Sequence, residues 1–275
     1  MNKKSLILSL LDFKGWGPSK VFSYVKVHNF NYDLCIAALD VILTSNERQQ
    51  LNALIDEKEK VIEMNEEKEI HSICVLDDGF PSKLYLGPDK CLFLYYKGDI
   101  SLLNKKAVTI IGTRNPNESF VERGKIVTKL FVEQDCIIIS GLALGCDTVA
   151  HQACLDAGGK TIAVLPSACD NIQPPRNKEL ANRIVENGGL LISEYGTESK
   201  YSVYNYPQRD RIQSSLSNVI VIIQASDDSG TMIAARKSLK DGKKVVALKG
   251  NNLKLVEEYI DESSKEDIEN ISIWL

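Results

Sequence analysis

From residue 106 onward, short apolar runs alternate with patterns typical of amphipathic helices. The apolar runs are four to six residues long and cover residues 107–111, 136–140, 160–165, 190–193, 218–223 and 244–248. Helical patterns lie between most of them, over residues 119–133, 148–157, 177–186 and 230–239. Continuous apolar strands that alternate with helices are typical of parallel sheets covered on both faces. The pattern therefore predicts an α/β fold with a mostly parallel sheet and helices on both of its faces.

The remainder of the chain divides around this sheet domain, residues 106–250. Residues 1–70 are predicted to form a small helical N-terminal domain, with a turn between its first two helices at Gly15 to Pro18. A connector follows over residues 71–105, and it contains one predicted strand at residues 91–96. Residues 251–275 are expected to form a short acidic tail without a winged-helix module.

The net charge of the chain conceals an uneven distribution. The formal charge is −4, but residues 257–269 hold seven acidic side chains against Lys265, a local charge of −6. The rest of the chain therefore carries +2, the difference between these two values. A local basic site is compatible with this balance, so net charge does not exclude an anionic partner such as nucleic acid.

The cysteines and the apolar runs indicate the compartment. The seven cysteines are scattered and show no CxxC or His-paired spacing, so we expect reduced core thiols in a cytoplasmic protein. The longest apolar runs are far too short to span a bilayer. No membrane partner is expected.

The segments that follow the predicted strands share a composition that suits phosphate. In open parallel sheets, ligands bind outside the carboxyl ends of the strands. Four of the five segments there carry glycine, and their polar groups are hydroxyls, backbone amides and one arginine, a set that suits a phosphate or a sugar-phosphate backbone. These segments contain no carboxylate cluster and no histidine pair, so no metal site is predicted. These segments contain Gly112, Thr113, Arg114, Ser140, Gly141, Gly145, Ser167, Asp170, Glu194, Gly196, Ser229, Gly230 and Thr231.

Asp147 and His151 lie four residues apart on a predicted helix, so they share a face. In one interpretation they form a polar pair beneath the ligand loop, or a general base with its orienting partner. In the favoured interpretation Asp147 caps the helix N-terminus and His151 is a satisfied, partly buried histidine in the structural wall of the pocket. No nucleophile is spaced to complete a triad, and no catalytic residue is predicted.

The segment 204–211, between the fourth and fifth of these strands, interleaves tyrosines with Arg209 and Arg211. Aromatic rings that stack on bases beside guanidiniums that bind phosphate would make a surface for single-stranded nucleic acid. The alternative is a packed loop whose arginines pair with Asp210 or other nearby acids.

Together these segments resemble the DprA/Smf family of DNA-processing, recombination-mediator proteins. The resemblance covers residues 70–250 and rests on several motifs in order rather than on any one of them. The matching motifs are DGFPSKL at 78–84, YYKGD at 95–99, IGTR at 111–114, SGLALGCD at 140–147 with AH at 150–151, KTIAVL at 160–165, PPRN at 174–177, LISE at 191–194, YPQRDRI at 206–212 and SGTMIAA at 229–235.

The resemblance implies a Rossmann-like domain that binds single-stranded DNA and loads a RecA-type recombinase, as a homodimer, in natural transformation and recombination. It implies neither a cofactor nor catalytic turnover. Arg114 would hold a DNA phosphate, and Arg209 and Arg211 would contact phosphate or organise the pocket wall. The implied DNA- or phosphate-binding residues are Gly112, Thr113, Arg114, Ser140, Gly141, Gly145, Arg176, Asn177, Arg209, Arg211, Ser229, Gly230 and Thr231.

The chain departs from the family pattern at several positions. Gln173 and Pro175 stand where many members have tyrosine and lysine, and a basic side chain follows one position later at Arg176. Asp210 replaces the usual asparagine between the two arginines and adds a negative charge beside them.

Two other functions remain open at this stage. Related Rossmann-like phosphoribohydrolases, which act on nucleoside monophosphates, have a catalytic glutamate soon after the threonine of a Gly-Thr motif. Here Thr231 is followed by Met232 and Ile233, without an acid. A small-nucleotide sensor in a defence or signalling system is the other alternative.

Overall fold

The computed structural model describes residues 2–274 and shows an α/β protein with a mostly parallel sheet, as predicted. The helices within this range are α1 (Lys3–Asp12), α2 (Pro18–Val27), α3 (Tyr32–Ile42), α4 (Ser45–Glu66), α5 (Lys83–Leu86), α6 (Glu118–Val132), α7 (Cys146–Asp156), α8 (Lys178–Glu186), α9 (Asn205–Leu216), α10 (Gly230–Lys240) and α11 (Lys265–Ser272). The strands are β1 (His71–Cys74), β2 (Phe93–Gly98), β3 (Ala107–Ile111), β4 (Ile137–Ser140), β5 (Thr161–Val164), β6 (Leu190–Ser193), β7 (Val219–Ile222), β8 (Lys244–Leu248) and β9 (Glu258–Ile260).

The nine strands formed by residues 2–274 lie in the order β1-β2-β6-β5-β4-β3-β7-β8-β9. Pairing is parallel from β6 through to β9 and antiparallel between β1, β2 and β6. From β3 the chain adds β4, β5 and β6 in one direction and then returns to place β7 on the opposite side of β3. Such a reversal leaves a crevice at the carboxyl ends of the strands, where open α/β sheets bind ligands.

Alternate residues of the central strands face opposite sides of the sheet, as strand geometry requires. On β3 and β4, Val108 and Ile138 pack in one apolar cluster with Phe131 of α6, while Ile137 and Ile139 pack in a second cluster with helix α9. The central strands are therefore buried on both sides, and helices cover both faces of the sheet there.

The connector is part of the sheet. The sequence pattern predicted one strand at residues 91–96, but two strands form, and β1 pairs with β2, which pairs with β6. The prediction failed for β1 because only two of its four residues, Ile73 and Cys74, are apolar, whereas the predicted four-residue strands have at least three. The second core cluster also includes Leu6 and Leu10 of α1, so the helical N-terminal segment shares its core with this end of the sheet.

The described part of the acidic segment, residues 251–274, is also folded onto the sheet, contrary to the expectation of a tail. Strand β9 pairs with β8, and α11 packs on α6. Ile260, Ile268 and Ile271 are buried in the core among exposed acids. Glu262 forms an ion pair with Arg123 of α6, with an Oε1–Nε distance of 2.5 Å.

Asn65, at the end of α4, joins the helical N-terminal segment to the loop after β6. It is 1% exposed, its Oδ1 accepts from the backbone N–H of Thr197 at 3.0 Å, and its Nδ2 donates to Glu198 at 3.3 Å. A buried backbone N–H that loses its acceptor is costly. This side chain therefore fixes the loop to the helix.

We expect Asn65→Ala to lower the free energy of unfolding by about 1–3 kcal/mol, since the Thr197 N–H loses its partner. Urea denaturation measures this change. Asn52→Ala is the control, because Asn52 is exposed on the same helix and its replacement should cost almost nothing. Equal stability of the two variants would contradict the proposed contact.

Candidate nucleic-acid interface at the reversal of strand order

A cavity of about 480 Å³ lies at the carboxyl ends of β3, β4 and β7. It opens where the strand order reverses, with α9 on one side and the start of α10 on the other. Its walls are formed by Ile111, Gly112, Thr113, Arg114, Ala143, Asp147, Tyr206, Pro207, Arg209, Asp210, Arg211, Gln213, Ser229, Gly230, Thr231, Ile233, Ala234 and Lys237.

Two glycines allow the loops after β3 and β4 to touch. A Cβ atom on Gly112 would lie 2.5 Å from Cys146 Sγ, and one on Gly145 would lie 2.5 Å from the carbonyl carbon of Arg114. Gly145 also has a φ of +78°, which favours glycine. The N–H of Cys146 donates to Thr113 O at 3.1 Å across this contact. The two loops therefore hold each other in place.

Asp147 and Asn177 order the β4–α7 loop from beneath. Asp147 Oδ2 accepts from the backbone N–H of Gly141 at 3.1 Å and of Ala143 at 3.3 Å. Asn177 is buried, and its Nδ2 donates to Leu142 O at 2.8 Å. With its amides turned to Asp147, the loop offers fewer free N–H groups to a ligand than the sequence indicated.

Arg209 passes under the same loop and is 5% exposed. Its guanidinium fills the space where a Cβ of Gly141 would be, since that atom would lie 1.1 Å from Nη1. Nη1 donates to Gln213 Oε1 at 3.1 Å. Gly141 is thus required for the passage of this arginine.

Two carboxylates share the Arg209 charge. Asp210 Oδ1 lies 3.0 Å from Arg209 Nε, and Asp147 Oδ2 lies 3.8 Å from Nη1. Burial raises the pKa of Asp147 and of Asp210, while the nearby Arg209 opposes that effect at both carboxyls. The floor of the cavity therefore has no unpaired positive charge.

Arg211 is also paired. Its Nη2 donates to both carboxylate oxygens of Glu194, at 2.5 and 2.6 Å, and its side chain is 13% exposed. Glu194 directly follows β6, so this ion pair ties α9 to the end of that strand.

Arg114 differs from both of these arginines. Arg114 is exposed at the cavity and forms no ion pair with any residue from 2 to 274. Its guanidinium carbon lies 5.0 Å from the centre of the Tyr206 ring. It is a cation available to a ligand at this edge.

Opposite Arg114, the cavity is bounded by the N-terminus of α10. The helix begins at Gly230, and its N-cap Ser229 makes no side-chain cap hydrogen bond. The first N–H groups of a helix have no partner within the helix and favour anions. Gly230 and Thr231 thus present backbone donors to the cavity.

The family model of DNA recombination-mediator protein A matches residues 71–263. The chain belongs to this family. It is similar to the DNA processing protein DprA of Streptococcus pneumoniae (35% identity, 66% of this chain and 64% of that protein) and of Bacillus subtilis (33%, 70% and 65%). Protein Smf of Escherichia coli is 33% identical over 66% of this chain and 48% of its own length. The chain thus spans about half to two thirds of these relatives.

Solved structures of the recombination-mediator family share the fold. The X-ray structure of DprA from S. pneumoniae covers 98% of both chains, with a TM-score of 0.75 and 25% identity. DNA processing protein A from Helicobacter pylori, studied for its single-stranded DNA binding mode, covers 73% of this chain and 88% of its own, with a TM-score of 0.59 and 29% identity.

In this member of the family, the predicted site residues fall into two groups. Those that line the cavity are Gly112, Thr113, Arg114, Arg209, Arg211, Ser229, Gly230 and Thr231, with Asp147 from the expected pocket wall. Those that do not are Ser140, Gly141, Gly145, Arg176, Asn177 and His151. Ser140 donates to Ile110 O at 2.7 Å, and Arg176 is exposed before α8. Two of the lining arginines are not placed to contact phosphate directly, because Arg209 is buried and Arg211 is paired with Glu194.

Residues 205–211 lie in helix α9 rather than in a loop. Arg209 pairs with Asp210 and Arg211 with Glu194, as the alternative of a packed segment expected. The cavity-lining residues that the sequence analysis did not assign to the site include Gln213, Ile233 and Lys237. Each follows a predicted position at helical spacing: Gln213 lies four residues after Arg209, and Ile233 and Lys237 lie three and seven residues after Gly230. Recognition of α9 as a helix would have found the first of them.

Asp147 and His151 do not form a pair. Asp147 binds the preceding loop rather than capping α7, so the predicted cap is wrong, while His151 Nδ1 lies 2.7 Å from Thr161 Oγ1. His151 is fully buried, and its Nε2 lacks a partner within residues 2–274. Burial, with a further contribution from Arg209, lowers the pKa of His151 to about 3. A neutral, inaccessible imidazole agrees with a structural role.

The described part of the chain contains no group of three or more His, Cys, Asp or Glu arranged to hold a metal ion. Within the same range, no helix combines the length and the apolar character needed to cross a membrane.

We expect the buried His151 to make stability depend on pH. Because its folded-state pKa of about 3 lies below the unfolded value near 6.5, the unfolded chain binds the extra proton between these values. The contribution is fully present above about pH 6.5 and is lost as pH falls, by about 2 kcal/mol at pH 5. In urea unfolding between pH 7 and pH 4.5, His151→Gln should show a shallower loss than the wild-type protein. Parallel curves would show that the folded state protonates His151.

Proposed function

We propose that this chain binds single-stranded DNA at the cavity, with a DNA phosphate on Arg114. The observation that carries the proposal is the unpaired, exposed guanidinium of Arg114 at the crevice formed by the reversal of strand order. Arginine binds phosphate through charge-assisted, often bidentate, hydrogen bonds. The donors of Gly230 and Thr231 face the same space and suit a second phosphate or a sugar oxygen.

Arg209 and Arg211 support this interface without touching DNA. Arg209 packs beneath the β4–α7 loop and pairs with Asp147, and Arg211 ties α9 to Glu194 at the end of β6. Because ion pairs already compensate the charges of Arg209 and Arg211, Arg114 is the arginine that attracts the phosphate. Asp210, the departure from the family pattern, increases this compensation.

The relatives support the class of ligand. The family is that of a DNA recombination mediator, and a structural relative from H. pylori binds single-stranded DNA. We infer that this chain likewise delivers single-stranded DNA to a RecA-type recombinase, as a homodimer, in natural transformation and recombination, and that it does so without catalytic turnover. The seven cysteines are free and buried, which agrees with a reducing cytoplasm.

Arg114→Ala should weaken single-strand binding for every sequence, because a phosphate contact is sequence-independent. For single strands, each neutralised phosphate contributes about 0.7 to the slope of log K against log salt concentration. The slope should therefore decrease by about that amount in a fluorescence-anisotropy titration of labelled oligo-dT at several salt concentrations.

Arg183→Ala is the matched control, since it removes an arginine from α8, away from the cavity, where it pairs with the exposed Asp156. It should keep the wild-type salt slope. An unchanged slope for Arg114→Ala would exclude this residue as a phosphate contact. Binding of duplex as tight as that of oligo-dT would exclude the single-strand preference.

Nucleotide hydrolysis, the main rival function, lacks a suitable carboxylate here. Thr231 is followed by the buried Met232 and by Ile233. Both carboxylates of the cavity wall, Asp147 and Asp210, are held by Arg209. Neither is free to act as a general base.

We expect no release of base from nucleoside monophosphates incubated with the protein, measured by chromatography against Arg114→Ala protein. Product above that control would favour the hydrolase. If nucleoside monophosphates instead displace oligo-dT at micromolar concentration without turnover, the cavity is a nucleotide-sensing site.

A further inference from the structure

We infer that Tyr206 is the positioning residue that holds the Arg114 guanidinium over the cavity for phosphate. This inference rests on the proposed function and concerns the same site. The two side chains come from different elements: Arg114 from the loop after β3 and Tyr206 from the first turn of α9.

The geometry is that of a cation–π contact. The guanidinium carbon of Arg114 lies 5.0 Å from the centre of the Tyr206 ring, within the distance of about 6 Å at which such contacts are favourable. Arg114 forms no ion pair with any residue from 2 to 274. Its charge acts on Asp210, where it opposes the rise in pKa caused by burial, but the ion-pair partner of Asp210 is Arg209. The Tyr206 ring is therefore the group that restricts this long, exposed side chain.

The ring is itself held in place. Its hydroxyl oxygen accepts a hydrogen bond from the Tyr201 hydroxyl at 3.2 Å, and the two rings meet edge to face, 86° apart. The guanidinium of the buried Arg209 lies 5.7 Å from the centre of the same ring. Next to it, Asn205 anchors the start of α9 by donating to Pro166 O at 2.9 Å.

A ring can order an arginine without neutralising it. The contrast lies within the same helix, where Glu194 orders Arg211 but also takes up its charge and its donors. A phosphate would have to displace such a carboxylate. The aromatic face leaves the N–H edges of Arg114 open, and ordering the side chain beforehand reduces the entropy lost on binding.

A double-mutant cycle separates this role from direct stacking of Tyr206 on a base. We expect Tyr206→Leu to weaken oligo-dT binding by about three- to tenfold, and Tyr206→Phe to stay within about twofold of wild type, because the ring remains. In the Arg114→Ala background, Tyr206→Leu should have no further effect. A loss that persists there would show base stacking and overturn the inference.

A second measurement does not need DNA. NMR relaxation of the Arg114 Nε–Hε group in the free protein should show increased motion in Tyr206→Leu but not in Tyr206→Phe. Tyr206→Met, which has no ring, repeats the test if Tyr206→Leu is poorly folded. Unchanged Arg114 motion would overturn the inference. If wild-type protein fails to bind oligo-dT, the proposed function fails, while relaxation still decides the role of Tyr206.

Discussion

The ion pairs of the buried Arg209 hold the candidate site together. This guanidinium lies between Asp147 on α7 and Asp210 on its own helix, beneath a loop that can pass over it only because residue 141 is glycine. Removal of either carboxylate would leave a buried charge less compensated, and loss of the arginine would leave two acids facing each other. The loop after β4, the start of α7 and helix α9 therefore depend on one another.

The three arginines of the cavity wall have different partners as a result. Arg209 and Arg211 form ion pairs with acids in the cavity wall, whereas Arg114 forms no ion pair within residues 2–274 and lies over the ring of Tyr206. Among the arginines that line the cavity in the described part of the chain, Arg114 is thus the one without an ion-pair partner. If the proposed single-strand binding is correct, this arrangement concentrates phosphate attraction at one place.

Much of the fold could be predicted, and each failure has a physical reason. The central strands are short apolar runs, so their pattern is plain, whereas α9 buries Arg209, Gln213 and Ser214 and therefore lacks the apolar periodicity that marks a helix. The acidic segment was misread for the converse reason: its buried isoleucines are few, and the acids around them dominate the composition. Polar contacts made at long range leave little trace in a local pattern.

The sequence by itself determined the α/β class, the glycines at the strand ends and the family, because these depend on local periodicity and on motifs in order. The tertiary structure alone decided which strand ends meet and which arginine remains free. Glu194 is 17 residues from Arg211, and Tyr206 is far from Arg114 along the chain. Whether an arginine is paired depends on partners that are distant in sequence. Only the reversal of strand order and the packing of α9 bring them together.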